Sequence, residues 1–393
     1  MKKPWMVVLL GISMAACLCG CGKTKTPKSS GKVEQTEDDK NIIKVILDEE
    51  TPVNDAGFYV AQQKGWFEEA GLKVEFIQPE EGLDTEQMVA RGKAQYGLDT
   101  QDRMVLELGS KEPLAVTAVA AVLQHNTTGY VTLADSGMDE FELIRDCTVA
   151  QMNQTADDAV LAFAAGQQGQ EPAYQSVEQT LTDLPSQLSG DVQAARTYFN
   201  WGCIQLDEAG LDYNFLPVRS AGAALDYYTP ILIADDAFLK KNAGLAQEFF
   251  NVVKQGYVYA AQHPDEAAGL VSSQLPEVSA SLLQDSLEFM SGQWLDEQGQ
   301  WGTIESGRWN RYISWAQSQG LITEKVAKNA GFTMEYSKAS PEATPLPAKT
   351  AVPAQSPQVD AAPGDAGTNT DSQDGAVGQD ATGQDAAVQV PEY

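Results

Sequence analysis

Short apolar runs alternating with helical periods set the rhythm of this chain. Ile42 to Leu47 and Leu72 to Ile77 are apolar segments of strand length, and the stretch between them, Thr51 to Gly71, carries a helical pattern. Asp55 stands at a helix N-cap position, and Gly65 and Gly71 stand where helices commonly stop. Two strands joined through a helix predict a right-handed βαβ unit with parallel strands. The loop leaving the first strand, Asp48 to Asp55, then lies at the carboxyl edge of a sheet beside a helix N-terminus. Open α/β sheets bind ligands at that edge.

The rhythm continues downstream. Asp84 to Gly92 predicts a helix, and Ala94 to Leu98 a strand ending in Asp99-Thr100-Gln101-Asp102. Arg103 to Gly109 predicts a helix, and Leu114 to Leu123 a strand ending in Gln124-His125-Asn126-Thr127-Thr128. Together with Asn54-Asp55, three polar clusters close three strands, which favours a shared site over ordinary loop chemistry. From about Asp135 the pattern restarts: strand Cys147 to Met152, helix Thr155 to Ala165, helix Leu181 to Leu188, and strand Val192 to Thr197 leading into Tyr198-Phe199-Asn200-Trp201-Gly202. Tyr227-Tyr228-Thr229-Pro230 leads into a lone apolar strand, Ile231 to Ala234. Helices follow over Leu245–Gln262, Pro264–Ser273, Ala280–Met290 and Ser306–Gln319, with Phe249, Phe250, Tyr257, Trp309 and Trp315 at core spacing.

Composition changes the picture at both ends. Lys2 and Lys3 precede an apolar run from Trp5 to Leu18 and then small residues, which is the order of an export signal; the run is too short to span a bilayer comfortably. Leu18-Cys19-Gly20-Cys21 resembles the bacterial lipobox, and Met14-Ala15-Ala16-Cys17 matches it less well because leucine is preferred three residues before the cysteine. The resemblance implies residues 1–21 as signal and lipobox, with an acyl chain on Cys21 anchoring the protein at the extracytoplasmic face of the cell membrane. Residues 22–40 lack aromatics and suit a flexible tether; residues 337–393 are Pro, Ala, Gly, Gln, Asp and Thr with almost no large apolar side chains, which predicts a solvated, disordered tail.

The formal net charge of −29, with no basic stripe, excludes nucleic acid as a partner and argues against direct contact with anionic lipid. Three of five cysteines fall in the signal region; Cys147 and Cys203 remain, either as a disulfide or as two separately buried thiols. With only His125 and His263, and no Gly-x-Ser-x-Gly elbow or clustered His/Cys spacing, the sequence offers neither an acyl-transfer centre nor a metal site. His263 precedes Pro264 at a helix start, where capping or exposure explains it. His125 is weighed between a ligand contact and loop chemistry. No catalytic residue and no cofactor are assigned.

The chain resembles the solute-binding lipoproteins of ABC importers, specifically the family that binds thiamine pyrimidine precursors. The resemblance rests on Leu47-Asp48, Thr51-Pro52-Val53-Asn54, Gly57-Phe58-Tyr59-Val60-Ala61, Lys64-Gly65-Trp66-Phe67 and Ala70-Gly71-Leu72. Leu188-Ser189-Gly190-Asp191-Val192, Tyr227-Tyr228-Thr229-Pro230, Gly256-Tyr257-Val258-Tyr259-Ala260 and His263-Pro264-Asp265-Glu266-Ala267-Ala268 extend it. It covers nearly all of 41–331 and implies the type II periplasmic-binding-protein fold, two α/β lobes joined by two crossovers with a ligand cleft between them. Mapped here, 41–134 and 229–336 form the first lobe and 135–228 the second, closing on the ligand as a monomer and docking on a membrane permease.

The family often carries Asp-Trp before the Thr-Pro segment and Asn-His-Thr-Gly after it. This chain has Asp48-Glu49-Glu50 and Asn54-Asp55-Ala56-Gly57, so carboxylates replace an aromatic and an imidazole. The same fold serves riboflavin, alkylsulfonates, nitrate and amines, which stay open beside a pyrimidine. A eukaryotic pyrimidine synthase branch has a cysteine-rich loop and a metal-dependent reaction, and that loop is not present here. The expected ligand contacts are Phe58, Tyr198, Trp201 and Tyr228 as stacking faces, and Asn54, Gln101, Gln124, Thr127 and Asn200 as neutral polar groups. Asp48, Asp55 and Asp99 are expected as acceptors for an amine.

Overall fold

The computed structural model describes residues 42–48, 51–80, 83–170, 172–179 and 183–337. The expected export segment with Cys21, the tether 22–40 and all of the tail after Ser337 lie outside these residues. Among the described residues no helix is long and apolar enough to cross a membrane.

Ten strands carry the architecture: β1 (Ile42–Ile46), β2 (Lys73–Ile77), β3 (Tyr96–Asp99), β4 (Val116–Ala121), β5 (Thr128–Leu133), β6 (Thr148–Gln151), β7 (Gln175–Glu178), β8 (Ala194–Tyr198), β9 (Tyr213–Pro217) and β10 (Ile231–Asp235). They form two five-stranded sheets, ordered β2-β1-β3-β10-β4 and β7-β6-β8-β5-β9. In each, three parallel strands meet a fourth that returns antiparallel: β10 in the first sheet and β5 in the second. The two sheets therefore share one topology, and each return strand has crossed over from the other lobe.

The first crossover is residues 122–127 and the second 218–230. This corrects the boundary near Asp135, because Thr128 to Leu133 pairs with β8 and β9 and belongs to the second sheet. The sequence predicts no strand between Leu123 and Cys147, so the return strand of the second sheet falls to the first lobe. The crossovers are tied together. The Asn126 N–H donates to Asp226 Oδ1 at 3.0 Å, its side-chain amide donates to the Leu225 carbonyl at 2.9 Å, and His125 Nδ1 lies 2.9 Å from Asp226 Oδ2.

Helices α1 (Ala56–Gln63), α2 (Trp66–Glu69), α3 (Thr85–Ala90) and α4 (Gln101–Leu108) flank the first sheet, and α5 (Gln154–Ala164), α6 (Leu184–Leu188) and α7 (Ile204–Glu208) the second. After β10 the chain is helical: α8 (Asp236–Lys241), α9 (Ala243–Gln262), α10 (Pro264–Ser272), α11 (Ala280–Ser291) and α12 (Ser306–Ser318). Helices α1 and α9 touch backbone to backbone. A Cβ on Gly256 would lie 2.0 Å from the Gly57 carbonyl oxygen, and one on Gly57 2.3 Å from the Tyr257 ring.

Around that contact the first lobe packs aromatic rings. Tyr96 stacks on Phe249 at 4.2 Å between centroids, and Tyr257 on Trp301 at 4.6 Å. Phe58, expected at the ligand, sits inside this cluster against Phe76, Phe249 and Tyr257. It is fully buried core. Cys147 and Cys203 are unpaired, the first partly buried and the second buried.

Candidate functional site

The carboxyl ends of β1, β2 and β3 face those of β6, β7 and β8 across a cavity of about 450 Å³. The first lobe contributes Asp48, Glu80, Asp84, Asp99, Asp102 and Arg103; the second contributes Asp157, Glu178, Arg196 and Tyr198; the second crossover adds Tyr227 and Thr229. Seven carboxyl groups thus stand against two guanidiniums. A ligand at the strand ends of two facing sheets follows from the fold, since both sheets present their loops and helix starts there.

Three of the twelve residues expected at the ligand line the cavity: Asp48, Asp99 and Tyr198. Asp48 also organises the loop it begins. Its Oδ1 accepts from the Thr51 N–H at 2.9 Å and its Oδ2 from the Asn54 side-chain amide at 2.8 Å, which fixes the 3-10 turn Pro52–Asp55. The Tyr198 hydroxyl lies 2.8 Å from Thr229 Oγ1, joining β8 to the second crossover.

The structure places the other nine elsewhere, for identifiable reasons. Asp55 occupies the N-cap position of α1, but its carboxylate reaches back and accepts the Asp48 N–H at 3.2 Å instead of capping the helix. Burial first, and then the Asp48 charge, push its carboxyl well above the usual range. Asn54, Asn200 and Thr127 form a clasp between the lobes. The Asn200 amide donates to Asn54 Oδ1 at 3.4 Å, and Thr127 Oγ1 donates to Asn200 Oδ1 at 2.8 Å.

Trp201 lies in the π-helical turn Phe199–Cys203 and is buried in the first lobe's apolar cluster. Gln101 accepts the Tyr228 N–H at 2.9 Å and donates to the Trp309 carbonyl at 3.1 Å, so its amide is spent holding the second crossover. The Tyr228 hydroxyl accepts the Glu305 N–H at 2.9 Å, ahead of α12. Gln124 donates to the Thr303 carbonyl at 3.4 Å, and its own carbonyl accepts from Arg308. Phe58 is core, as described above.

Sequence reasoning missed the charged centre of the second lobe. Arg196, on the middle strand β8, is 1% exposed and its Nε donates to Asp157 Oδ1 at 3.1 Å. Its Nη2 donates to the Tyr227 hydroxyl at 3.2 Å, and the guanidinium lies over the Tyr130 ring at 5.5 Å. Asp157 Oδ2 in turn accepts the Met152 and Asn153 N–H groups, each at 2.9 Å. Burial pushes the Asp157 carboxyl up, while Arg196 and those N–H donors pull it back. The signal was present: a lone arginine inside the apolar strand Ala194-Ala195-Arg196 has to be paired when buried.

Among the described residues no three His, Cys, Asp or Glu side chains converge into a group that could hold a metal ion.

A formylaminopyrimidine-binding protein of Halalkalibacterium halodurans is 23% identical over 78% of this chain and 94% of that protein. A 4-amino-5-hydroxymethyl-2-methylpyrimidine phosphate synthase of Legionella pneumophila is 20% identical over 70% of this chain and 87% of its own length. Among solved structures, the alkanesulfonate-binding protein SsuA of Xanthomonas axonopodis pv. citri, bound to MOPS, superposes with a TM-score of 0.58 at 9% identity, covering 75% of this chain and 98% of that one. That likeness is of fold: two α/β lobes of the periplasmic-binding-protein type. The NMT1/THI5-like family matches residues 53–267, more than half of the chain, and spans both lobes and the cavity between them; the chain belongs to that family.

Proposed function

We propose that this chain is the solute-binding protein of an ABC importer, lipid-anchored through Cys21 on the extracytoplasmic face of the cell membrane. It captures a small heteroaromatic ligand, a pyrimidine of the thiamine-precursor type, between its lobes and hands it to the permease. The observation that carries this reading is the cavity of about 450 Å³ built from the facing strand ends of the two sheets. Its size suits a ligand of one ring with substituents. Its wall offers two tyrosines for ring contact and polar groups for orientation. The formylaminopyrimidine-binding relative supports the ligand class, and the synthase relative supplies the rival.

Incubation with aminopyrimidines separates the two. The binder releases its ligand chemically unchanged after denaturation, whereas an altered pyrimidine in the released pool sinks the binding-protein reading. Cys21→Ala tests the anchor: the protein should leave the membrane fraction or stay unprocessed, and unchanged mass with unchanged anchoring counts against it.

A further inference from the structure

Two carboxyls stand together in the first-lobe wall, and each keeps a buried oxygen without a hydrogen-bond partner: Asp99 Oδ2 and Glu86 Oε2. Both residues are more than nine-tenths buried. Asp99 ends β3 and lines the cavity, and Glu86 lies behind it in the first turn of α3. Helix α3 presses closely on β3, where a Cβ on Gly97 would lie 2.4 Å from Thr85 Cγ2. Buried polar atoms are nearly always paired, and neighbouring buried carboxyls do not both ionise.

We propose that Asp99 and Glu86 carry one proton between them, seated on Asp99 Oδ2, and that the ligand is met there by a neutral acid that donates a hydrogen bond. Ligand capture is thereby linked to pH. The donor role rests on the small-molecule site described above.

The surroundings favour the protonated pair. Asp84 precedes α3, α4 brings Asp102, Arg103 and Glu107, and Asp48 ends β1 on the same wall. Strand β10 sets the apolar Ile231 opposite Asp99. Arg103 divides its charge, since its Nη1 lies 3.8 Å from Asp84 Oδ1. Across the cavity the Arg196 charge is met by Asp157 at 3.1 Å. Burial first, and then the charge of Glu86, push the Asp99 carboxyl well above the usual range, against the pull of Arg103. Burial raises Glu86 too, but its own backbone N–H and Arg103 pull it back, so the proton falls to Asp99. Oδ1 of Asp99 already accepts the Thr100 N–H at 2.8 Å, which leaves Oδ2 to carry it. This reverses the acceptor role expected of Asp99 from the sequence. The first lobe asks for a neutral acceptor atom, and a cationic amine at that point first has to displace the proton.

Infrared spectra of the ligand-free full chain test the proton. Asp99→Asn should lose a protonated-carboxyl band present at neutral pH, and Glu86→Gln should move the titration of that band to lower pH. A spectrum unchanged by Asp99→Asn at every pH, or a titration unmoved by Glu86→Gln, overturns the shared proton. Calorimetry with N-formyl-4-amino-5-aminomethyl-2-methylpyrimidine tests the donor. In the unmodified chain affinity should hold up to the pH at which the band disappears and then fall about tenfold per pH unit. Asp99→Asn, which does not titrate, should show no such fall. Affinity that rises with pH, or that falls equally in Asp99→Asn, overturns the donor role. The unmodified chain gives the pH profile by itself, so a variant that fails to fold leaves the test standing. Absence of binding at every pH overturns the ligand reading and the donor role with it, while the infrared band still decides the shared proton.

Discussion

The two lobes use one device with different outcomes. In each, an acid at the start of the first crossover helix accepts backbone N–H groups from the loop leaving the first strand: Asp55 from Asp48, and Asp157 from Met152 and Asn153. The middle strands correspond as well. Ile46 pairs with Gly97 and Ala150 with Ala195, so Leu98 and Arg196 occupy equivalent places one residue on. In the first lobe that place is apolar, and Asp55 is buried without a cation. In the second it is a guanidinium, and Asp157 is held by it. Both Leu98 and Arg196 line the cavity. The first lobe therefore spends its middle strand on packing, and the second spends it on a buried ion pair.

Making the second lobe like the first is the strongest way to break this comparison. Arg196→Leu alone strands Asp157 in the interior and should cost about 3–5 kcal/mol of stability. The double variant Arg196→Leu with Asp157→Asn should recover most of that loss in urea unfolding, since no charge is then left buried and unpaired. Equal instability of the single and double variants would contradict the pairing.

In the first lobe the sensitive point is packing. Gly256→Ala drives a methyl group into the Gly57 backbone, where no side-chain rotation can relieve it. It should destabilise the fold by about 1–3 kcal/mol or more, read by thermal unfolding. Loss of the hydrogen bond between Tyr198 and Thr229 is smaller. Tyr198→Phe should cost about 1 kcal/mol, because it loosens the tie between β8 and the second crossover while keeping the ring.

The least disruptive test is a pH profile. The folded-state Asp55 carboxyl is raised, so it holds a proton that the unfolded chain has already released. Its contribution to stability is full below the ordinary aspartate value of about 3.9 and is lost as pH rises through the raised one. Asp55→Asn should therefore flatten the fall in stability as pH rises from about 4 through the raised value. A variant profile parallel to that of the unmodified protein would show that Asp55 is ionised in the fold.

Much of the frame was legible in the sequence. The β1–α1–β2 unit, the lone return strand β10 and the four long C-terminal helices all follow from periodicity. The first crossover was misplaced because Thr128 to Leu133 was not read as a strand; β7 and β9 escaped notice as well, each only four or five residues long and β9 ending in proline. At the site, strand-end polarity located the right edge but could not separate groups facing a ligand from groups tying loops together. Asn54, Gln101, Gln124, Thr127 and Asn200 all have the chemistry of ligand contacts, and all spend it on the clasp or the crossovers. Tyr228 and Tyr227 differ by one residue, yet Tyr227 reaches the cavity and Tyr228 supports α12. Arg196 was passed over because its neighbours made the strand read as apolar, although its isolation among them was the strongest clue to its role.

A crystal structure of the protein with N-formyl-4-amino-5-aminomethyl-2-methylpyrimidine tests the central claim most directly. The account predicts the ring between the strand ends of the two sheets, in the cavity lined by Asp48, Asp99, Arg196 and Tyr198. A ligand bound outside this cavity, or no binding of the pyrimidine at all, would contradict it.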